Sequence, residues 1–225
     1  MEVEEFYDNI SNKYTDMLDK AVPKYREMLW LMLHYVPDNF KPKTILELGS
    51  GTGNLTELII EKFPNAEITV VDISEKILEE CKARFQSNKT IKYCQSDFKK
   101  IDFERESFDL VISSIAIHHI EDVDKQVLFN KVYSYVKPKG IFTYLDQCMG
   151  ETSEIYQKNI EKWKIEAFKL GSTIENWKTW MDHQDEHDFH ATVRNQIMWL
   201  ESSSFENIEI LWRNLLWTIF YSEKR

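Results

Sequence analysis

The sequence predicts an α/β fold, a doubly wound and mostly parallel sheet that holds its ligand at the carboxyl edge. Three observations lead there. Strand-like and helix-like patterns alternate from Met1 to about Gln147, the rhythm of a parallel sheet with right-handed crossovers. The apolar run Ile45-Leu46-Glu47-Leu48 breaks into the turn Gly49-Ser50-Gly51-Thr52-Gly53 and then a helical pattern. Acids close the next two strand-like runs, Asp72 after the second and Asp97 after the third.

The elements follow in order. An opening helix carries Phe6, Tyr7, Ile10 and Tyr14, with Tyr7 and Tyr14 two turns apart on one face. A second helix begins near Pro23 and runs to about Tyr35, its apolar positions being Met28, Leu29, Met32 and Tyr35. These two helices form an amino-terminal segment, residues 1–38, before the core at 40–147. In the first turn, Gly49 and Gly51 let the backbone bend tightly and approach a ligand, and Gly53 lets the next helix pack closely. The second strand, Ala66 to Val71, lies between Pro64-Asn65 and Ser74, and Ser74 caps a helix bearing Ile77, Leu78, Cys81 and Phe85. An acid at that strand end, Asp72 with Ile73 beside it, suits the two hydroxyls of a ribose. The third strand, Thr90 to Gln95, ends in Ser96-Asp97-Phe98, and the fourth runs from Ser107 to Ser114-Ile115 before His118-His119. Asp122 or Asp124 opens a helix with Val127, Leu128, Val132 and Tyr135, which Lys137-Pro138-Lys139-Gly140 stops ahead of strand five, Ile141 to Asp146.

Residues 150–182 break the alternation with two helical patterns in succession, which predicts a helical cap inserted after strand five. Tyr156, Ile160, Trp163, Ala167 and Leu170 recur at helical spacing, and beyond Gly171-Ser172 come Ile174, Trp177, Trp180 and Met181. Such a stripe is more often core packing than a substrate box, and its place after strand five leaves both readings open. The last segment, 191–225, reads as a closing helix, Ala191 to Leu200, and a hairpin of Phe205 to Trp212 and Leu215 to Tyr221 around Arg213-Asn214.

At 225 residues the chain fits one domain, residues 1–225, with a sizeable core. The formal net charge of −10 argues against a nucleic-acid partner, because phosphate binding rests on clustered Lys and Arg. No apolar run approaches the roughly 20 residues of a membrane span, and the acidic start Met1-Glu2-Val3-Glu4-Glu5 is unlike a secretory signal. A cytoplasmic protein is expected, with a small-molecule partner, no membrane partner and a homodimer left open. The three cysteines, Cys81, Cys94 and Cys148, are scattered and suit reduced core thiols.

The glycine spacing is G-x-G-x-G, one residue tighter than the dinucleotide fingerprint, and Glu47 stands two residues before the first glycine. This resembles the first motif of the class I, Rossmann-like S-adenosylmethionine (SAM)-dependent methyltransferases, and the match of motifs covers roughly residues 40 to 147. The resemblance implies a seven-stranded sheet with an antiparallel carboxyl-terminal hairpin, SAM as cofactor and S-adenosylhomocysteine as product. It places Glu47 near the amino-acid end of the cofactor, Gly49, Ser50, Gly51 and Gly53 around it, and Asp97-Phe98 at the adenine. Ser114 and Ile115 correspond to the segment after strand four, and Tyr14 to a lid over the amino-acid end. The implied reaction is in-line methyl transfer to an N, O or S atom of a small molecule, dominated by positioning.

His118 is the candidate general base, since it follows strand four where methyl and acceptor meet. His119, Trp163, Trp177 and Trp180 are candidate pocket walls. The stretch Asp182 to His190 holds His183, His187 and His190, the first two spaced as helical metal ligands often are, but it lacks a defined metal frame. It reads as a solvated acidic loop, and no metal is expected. Alternatives are a tRNA-modifying SAM-dependent enzyme, including the kind that makes a carboxylated SAM derivative, and a non-catalytic SAM-binding regulatory subunit. A nicotinamide oxidoreductase is disfavoured by the glycine spacing and Asp97-Phe98.

Overall fold

Three short helices open the chain in the computed structural model, which describes residues 3–225. They are α1 (Val3–Ile10), α2 (Tyr14–Ala21) and α3 (Tyr25–His34), with a 3₁₀ turn at Ser11–Lys13 dividing the single opening helix expected from periodicity. Tyr7 and Tyr14 still meet edge-on, their ring centroids 5.5 Å apart. On α3, Met28, Leu29 and Met32 are fully buried, whereas Tyr35 lies beyond the helix end and is 47% exposed.

The sheet has the strand order β3-β2-β1-β4-β5-β8-β7. Its parallel part is β1 (Thr44–Leu48), β2 (Glu67–Asp72), β3 (Ile91–Gln95), β4 (Phe108–Ser114) and β5 (Val136–Met149). The hairpin of β7 (Glu206–Asn214) and β8 (Trp217–Glu223) joins antiparallel to β5. A two-residue strand, β6 (Ala191–Thr192), adds an eighth member beside Cys148 and Met149, beyond the seven expected. Crossovers are made by α4 (Asn54–Lys62), α5 (Glu75–Arg84) and α6 (Asp122–Tyr135), and α9 (Val193–Ser202) precedes the hairpin. The side-chain alternation of β1 divides the core, with Ile45 in a cluster containing α1 to α4 residues and Leu46 and Leu48 in one containing α6 residues. The strand order reverses at β1, between β2 and β4, and the crevice at the carboxyl ends of these strands is where such sheets bind ligands.

Three expectations need correction. No turn separates α6 from β5: the helix ends at Tyr135 and the strand takes up Lys137-Pro138-Lys139 directly, with a register shift between Phe108 and Leu110 on β4. Val127 faces outward on α6 while Leu128, Val132 and Tyr135 are buried. The hairpin turns at Leu215-Leu216, because Arg213 and Asn214 still pair with Thr218 and Trp217, and Leu215 takes the left-handed φ of 53°.

The cap consists of α7 (Ser153–Lys169) and α8 (Ile174–His187), joined through Gly171 at φ 102° and a capping box between Thr173 and Asn176. Trp163 anchors it. Its ring meets Trp177 and Trp217 edge-on at 4.8 and 5.2 Å, and its Nε1 donates to the Ala21 carbonyl at 2.6 Å. Leu170 and Ile174 point to solvent, Ile174 at 73% exposure, so the buried stripe is narrower than the spacing suggests. Among the described residues no helix is long and apolar enough to cross a membrane.

Candidate active site

A cavity of about 260 Å³ opens at the carboxyl ends of β1, β2 and β4. Gly49 and Gly51 form its floor at φ 71° and 54°. A Cβ on Gly49 would stand 2.3 Å from the Ala116 Cβ, and one on Gly51 would stand 2.9 Å from the Tyr14 ring, so the loop admits no side chain. Asp72 ends β2 and fixes this loop, its Oδ2 accepting from the Gly51 amide at 2.9 Å and its Oδ1 from the Ser74 amide at 3.1 Å. Burial raises its pKa, and those amide bonds oppose the rise. Asp97 and Phe98 line the opposite wall, with Asp97 Oδ1 accepting from the Lys99 amide at 2.8 Å. Ile115 sits at φ 52°, a strained conformation for a β-branched residue, at the point where the chain leaves β4.

Of the sequence-predicted cofactor residues, Tyr14, Gly49, Gly51, Asp72, Ile73, Asp97, Phe98 and Ile115 line this cavity. Glu47, Ser50, Gly53 and Ser114 do not. Glu47 is fully buried behind the loop, where its Oε2 accepts from Thr56 Oγ1 at 2.7 Å and burial pushes its carboxyl up to about 8. Gly53 serves packing, since a Cβ there would meet the Phe85 ring at 2.4 Å and Cys81 Sγ at 3.0 Å, both at the α5 end. Ser50 donates its amide to the Val71 carbonyl, and Ser114 pairs with Leu145 in the sheet.

A second, smaller cavity shares the walls Tyr7, Tyr14, Ile115 and His119 with the first and reaches Trp163 and Trp180 of the cap. Trp177 lies outside both and packs against Trp163 and Phe168, which corrects its assignment as a pocket wall. The Tyr7 hydroxyl and His119 Nε2 lie 2.7 Å apart where the cavities meet. Burial raises the Tyr7 pKa far enough that it remains a neutral phenol. His118 lines the smaller cavity beside His119; its Nδ1 is 2.5 Å from Asp146 Oδ1, and burial lowers its pKa.

The stretch expected as a solvated loop is instead mostly helical and turns one side inward: His183 and Gln184 are buried, while Asp182, Asp185 and Glu186 stay exposed. The cap helix α8 continues to His187, and Asp188 follows as its C-cap. The Phe189 amide donates to the His118 carbonyl at 2.7 Å and the buried Lys125 Nζ donates to the Phe189 carbonyl, so this segment is drawn in against the end of β4. Asp188 is thereby brought among His118, His119, His183 and His190. Burial disfavours its ionised form, but the surrounding imidazoles, His118 foremost, hold the carboxyl well below its usual range. Burial takes His183 down to about 3. Helical spacing set Tyr7 on one face with Tyr14 but did not assign it to the acceptor side, and for Asp146 and Asp188 the one legible signal was the local density of histidine.

A doubly wound sheet, a loop free of Cβ atoms at its switch point, an acid on β2 and an acid-aromatic pair after β3 define a nucleoside-cofactor enzyme. These groups fit SAM, whose ribose and adenine need such acceptors and whose approach needs the bare loop. Residues 45–140 match the profile of a methyltransferase domain. Carboxy-S-adenosyl-L-methionine synthase of Nautilia profundicola is 22% identical over 93% of this chain and 89% of its own. Malonyl-[acyl-carrier protein] O-methyltransferase of Priestia megaterium is 28% identical over 64% of this chain, which spans about half (52%) of that relative. In fold, the chain resembles Haemonchus contortus phosphoethanolamine N-methyltransferase 2 in complex with SAM, with a TM-score of 0.71, 17% identity, and coverage of 100% of this chain and 60% of that one. Residues 45–140 are thus similar to a methyltransferase domain, and the chain as a whole shares its fold with a SAM-bound methyltransferase.

Proposed function

We propose that the protein methylates a small molecule whose reacting atom sits where the two cavities meet, beside Tyr7 and His119; the smaller cavity, at about 20 Å³, has room for little more than one small group and reaches toward Trp163 and Trp180 of the cap. The observation that carries this reading is a pair of buried, unpartnered polar atoms on the walls of that cavity, Trp180 Nε1 and Gln147 Oε1. Buried polar atoms normally have partners, and a polar acceptor supplies them. The shared walls make the two cavities neighbours, as methyl transfer requires.

Bound SAM supplies a sulfonium methyl already activated for attack. The chain's own residues then position: Asp72 and Asp97 hold the nucleoside, and Tyr14 covers Gly51. His119 orients the Tyr7 hydroxyl, which hydrogen-bonds the acceptor atom and fixes its lone pair, while the cap excludes water. The acceptor is an N, O or S nucleophile. A carboxylated SAM derivative, the product named by the relatives that align along nearly the whole chain, is the second reading. It is disfavoured because, among the described residues, no Arg or Lys lines the smaller cavity to face a new carboxylate. RNA is disfavoured by the net charge of −10.

The test is incubation with SAM and separate panels of amines, phenols, alcohols and thiols, with bulk tRNA alongside and, in a further arm, organic acids that can lose carbon dioxide as carboxyl donors, read by mass spectrometry. Release of S-adenosylhomocysteine with a methylated small molecule supports the reading. A carboxylated nucleoside product, or methylation of tRNA alone, contradicts it.

A further inference from the structure

Four imidazoles around one buried carboxylate call for an explanation that methyl transfer does not give. Asp188 Oδ1 lies 3.0 Å from His119 Nδ1 and 3.8 Å from both His118 Nε2 and His183 Nε2. Despite this crowding, Asp188 Oδ1, His119 Nδ1 and His183 Nε2 make no hydrogen bond: they approach one another without alignment. Buried groups of this kind are rarely left so. An ion between them satisfies all of them at once.

The geometry points to a divalent first-row transition-metal site, zinc-like in its donors, formed by His118 Nε2, His119 Nδ1, His183 Nε2 and Asp188 Oδ1 on the wall of the smaller cavity. Two ligands of a tetrahedral ion with bonds near 2.0–2.1 Å stand about 3.3 Å apart, and the three nitrogen-to-oxygen distances of 3.0 to 3.8 Å bracket that separation. The candidate ligand atoms of His118, His119 and Asp188 all lie within 4.8 Å of one another.

Two of the three histidines have the outer contacts of metal ligands, in which the second ring nitrogen is held by another group, whereas His183 Nδ1 has no partner. His118 Nδ1 is bound to Asp146, which leaves Nε2 free to ligate. The second nitrogen of His119 faces Tyr7, and the His183 ring is stacked on Phe6 at 3.9 Å between centroids. His190 faces the other carboxylate oxygen at 3.5 Å, with its Nδ1 on the Tyr156 hydroxyl, and so orients Asp188 without ligating. Three imidazoles and one carboxylate suit zinc, iron or nickel rather than magnesium or calcium.

All four ligand residues line the smaller cavity. An ion there faces the acceptor, and a hydroxyl or thiol acceptor entering its coordination sphere would become more acidic. Metal on His119 Nδ1 also fixes the proton on Nε2, so that His119 donates to Tyr7 and the phenolic hydrogen turns to the acceptor.

The experiment uses untagged full-length protein, stripped with chelator and titrated with Zn²⁺ and with Co²⁺. Expected are one ion per chain by elemental analysis and visible Co²⁺ bands of a four- or five-coordinate nitrogen-oxygen site. Asp188→Asn and His183→Gln should each weaken metal binding by about 100-fold or more while SAM titration shows the fold intact. Failure of the stripped wild type to take up either ion overturns the site, as does wild-type metal affinity in both variants. Because metal uptake is read directly, the result is separable from whether a small-molecule acceptor is methylated.

Discussion

The cofactor side and the acceptor side of this molecule are built by different means. The cofactor cavity is made of strand ends and the turns next to them, so each group lies within a few residues of the strand that positions it: Gly49 and Gly51 after β1, Asp72 at the end of β2, Asp97 after β3. The smaller cavity, proposed for the acceptor, is made by convergence over long sequence distances, with Tyr7 from α1, His119 after β4, Trp163 and Trp180 from the cap and Asp188 beyond it. Local geometry makes one half rigid and simple to read. The other half exists only when α1, the cap and the post-β4 segment are packed together, and its properties depend on that packing.

The sharpest break between the halves is Gly51→Val. With φ at 54° and a Cβ position 2.9 Å from the Tyr14 ring, valine must displace the loop or the lid, and SAM affinity should fall by more than about 100-fold with loss of most activity. Calorimetry checks this, and near-wild-type affinity would remove the loop from the cofactor site. Next in size is Asp72→Ala. Loss of its ribose hydrogen bonds should weaken SAM by about 1.5 to 3 kcal/mol, and an unchanged dissociation constant would refute that role.

Within the cap, two tryptophans three residues apart should separate cleanly. Trp177→Phe loosens the packing against Trp163 and should lower the melting temperature by several degrees, about 1 to 2 kcal/mol, at unchanged acceptor KM. Trp180→Phe removes an indole N–H facing the cavity and should raise KM by roughly threefold to tenfold at nearly constant melting temperature. The reverse pattern would exchange scaffold and wall.

The smallest effect concerns Glu47, whose carboxyl is pushed from an ordinary 4.5 to about 8 by burial. A carboxyl that binds its proton more tightly folded than unfolded makes stability fall as pH rises through that interval. Glu47→Gln lacks the ionisation, so its melting temperature should gain on that of the wild type between about pH 5 and pH 8. Parallel curves would mean that Glu47 ionises in the fold without penalty.

This contrast also explains what the sequence disclosed. Strand order, crossovers and most of the cofactor cavity follow from period-two runs, glycine spacing and strand-end acids, all local signals. Glu47 misled because an acid two residues before a glycine loop can face the cofactor or the core, and only the Thr56 contact decides. His118 and His119 are neighbours in sequence with opposite surroundings, one tied to Asp146 and the other to Tyr7. The segment 182–190 looked solvated because it is polar, and nothing local announces that Lys125 and the His118 carbonyl hold its Phe189 backbone against the fold, turning His183 and the Asp188 side chain inward.

The central claim is that cofactor binding and acceptor positioning are separate devices meeting at Tyr7 and His119. The most direct measurement is the SAM dissociation constant and the kcat at saturating SAM for Tyr7→Phe, set beside the same pair of values for Asp72→Ala. The account predicts that Tyr7→Phe lowers kcat by roughly tenfold to a hundredfold with SAM affinity within about threefold of wild type, while Asp72→Ala weakens SAM and largely restores kcat at saturation. If Tyr7→Phe instead weakened SAM and kept wild-type kcat at saturation, Tyr7 would belong to the cofactor half and the division proposed here would be wrong.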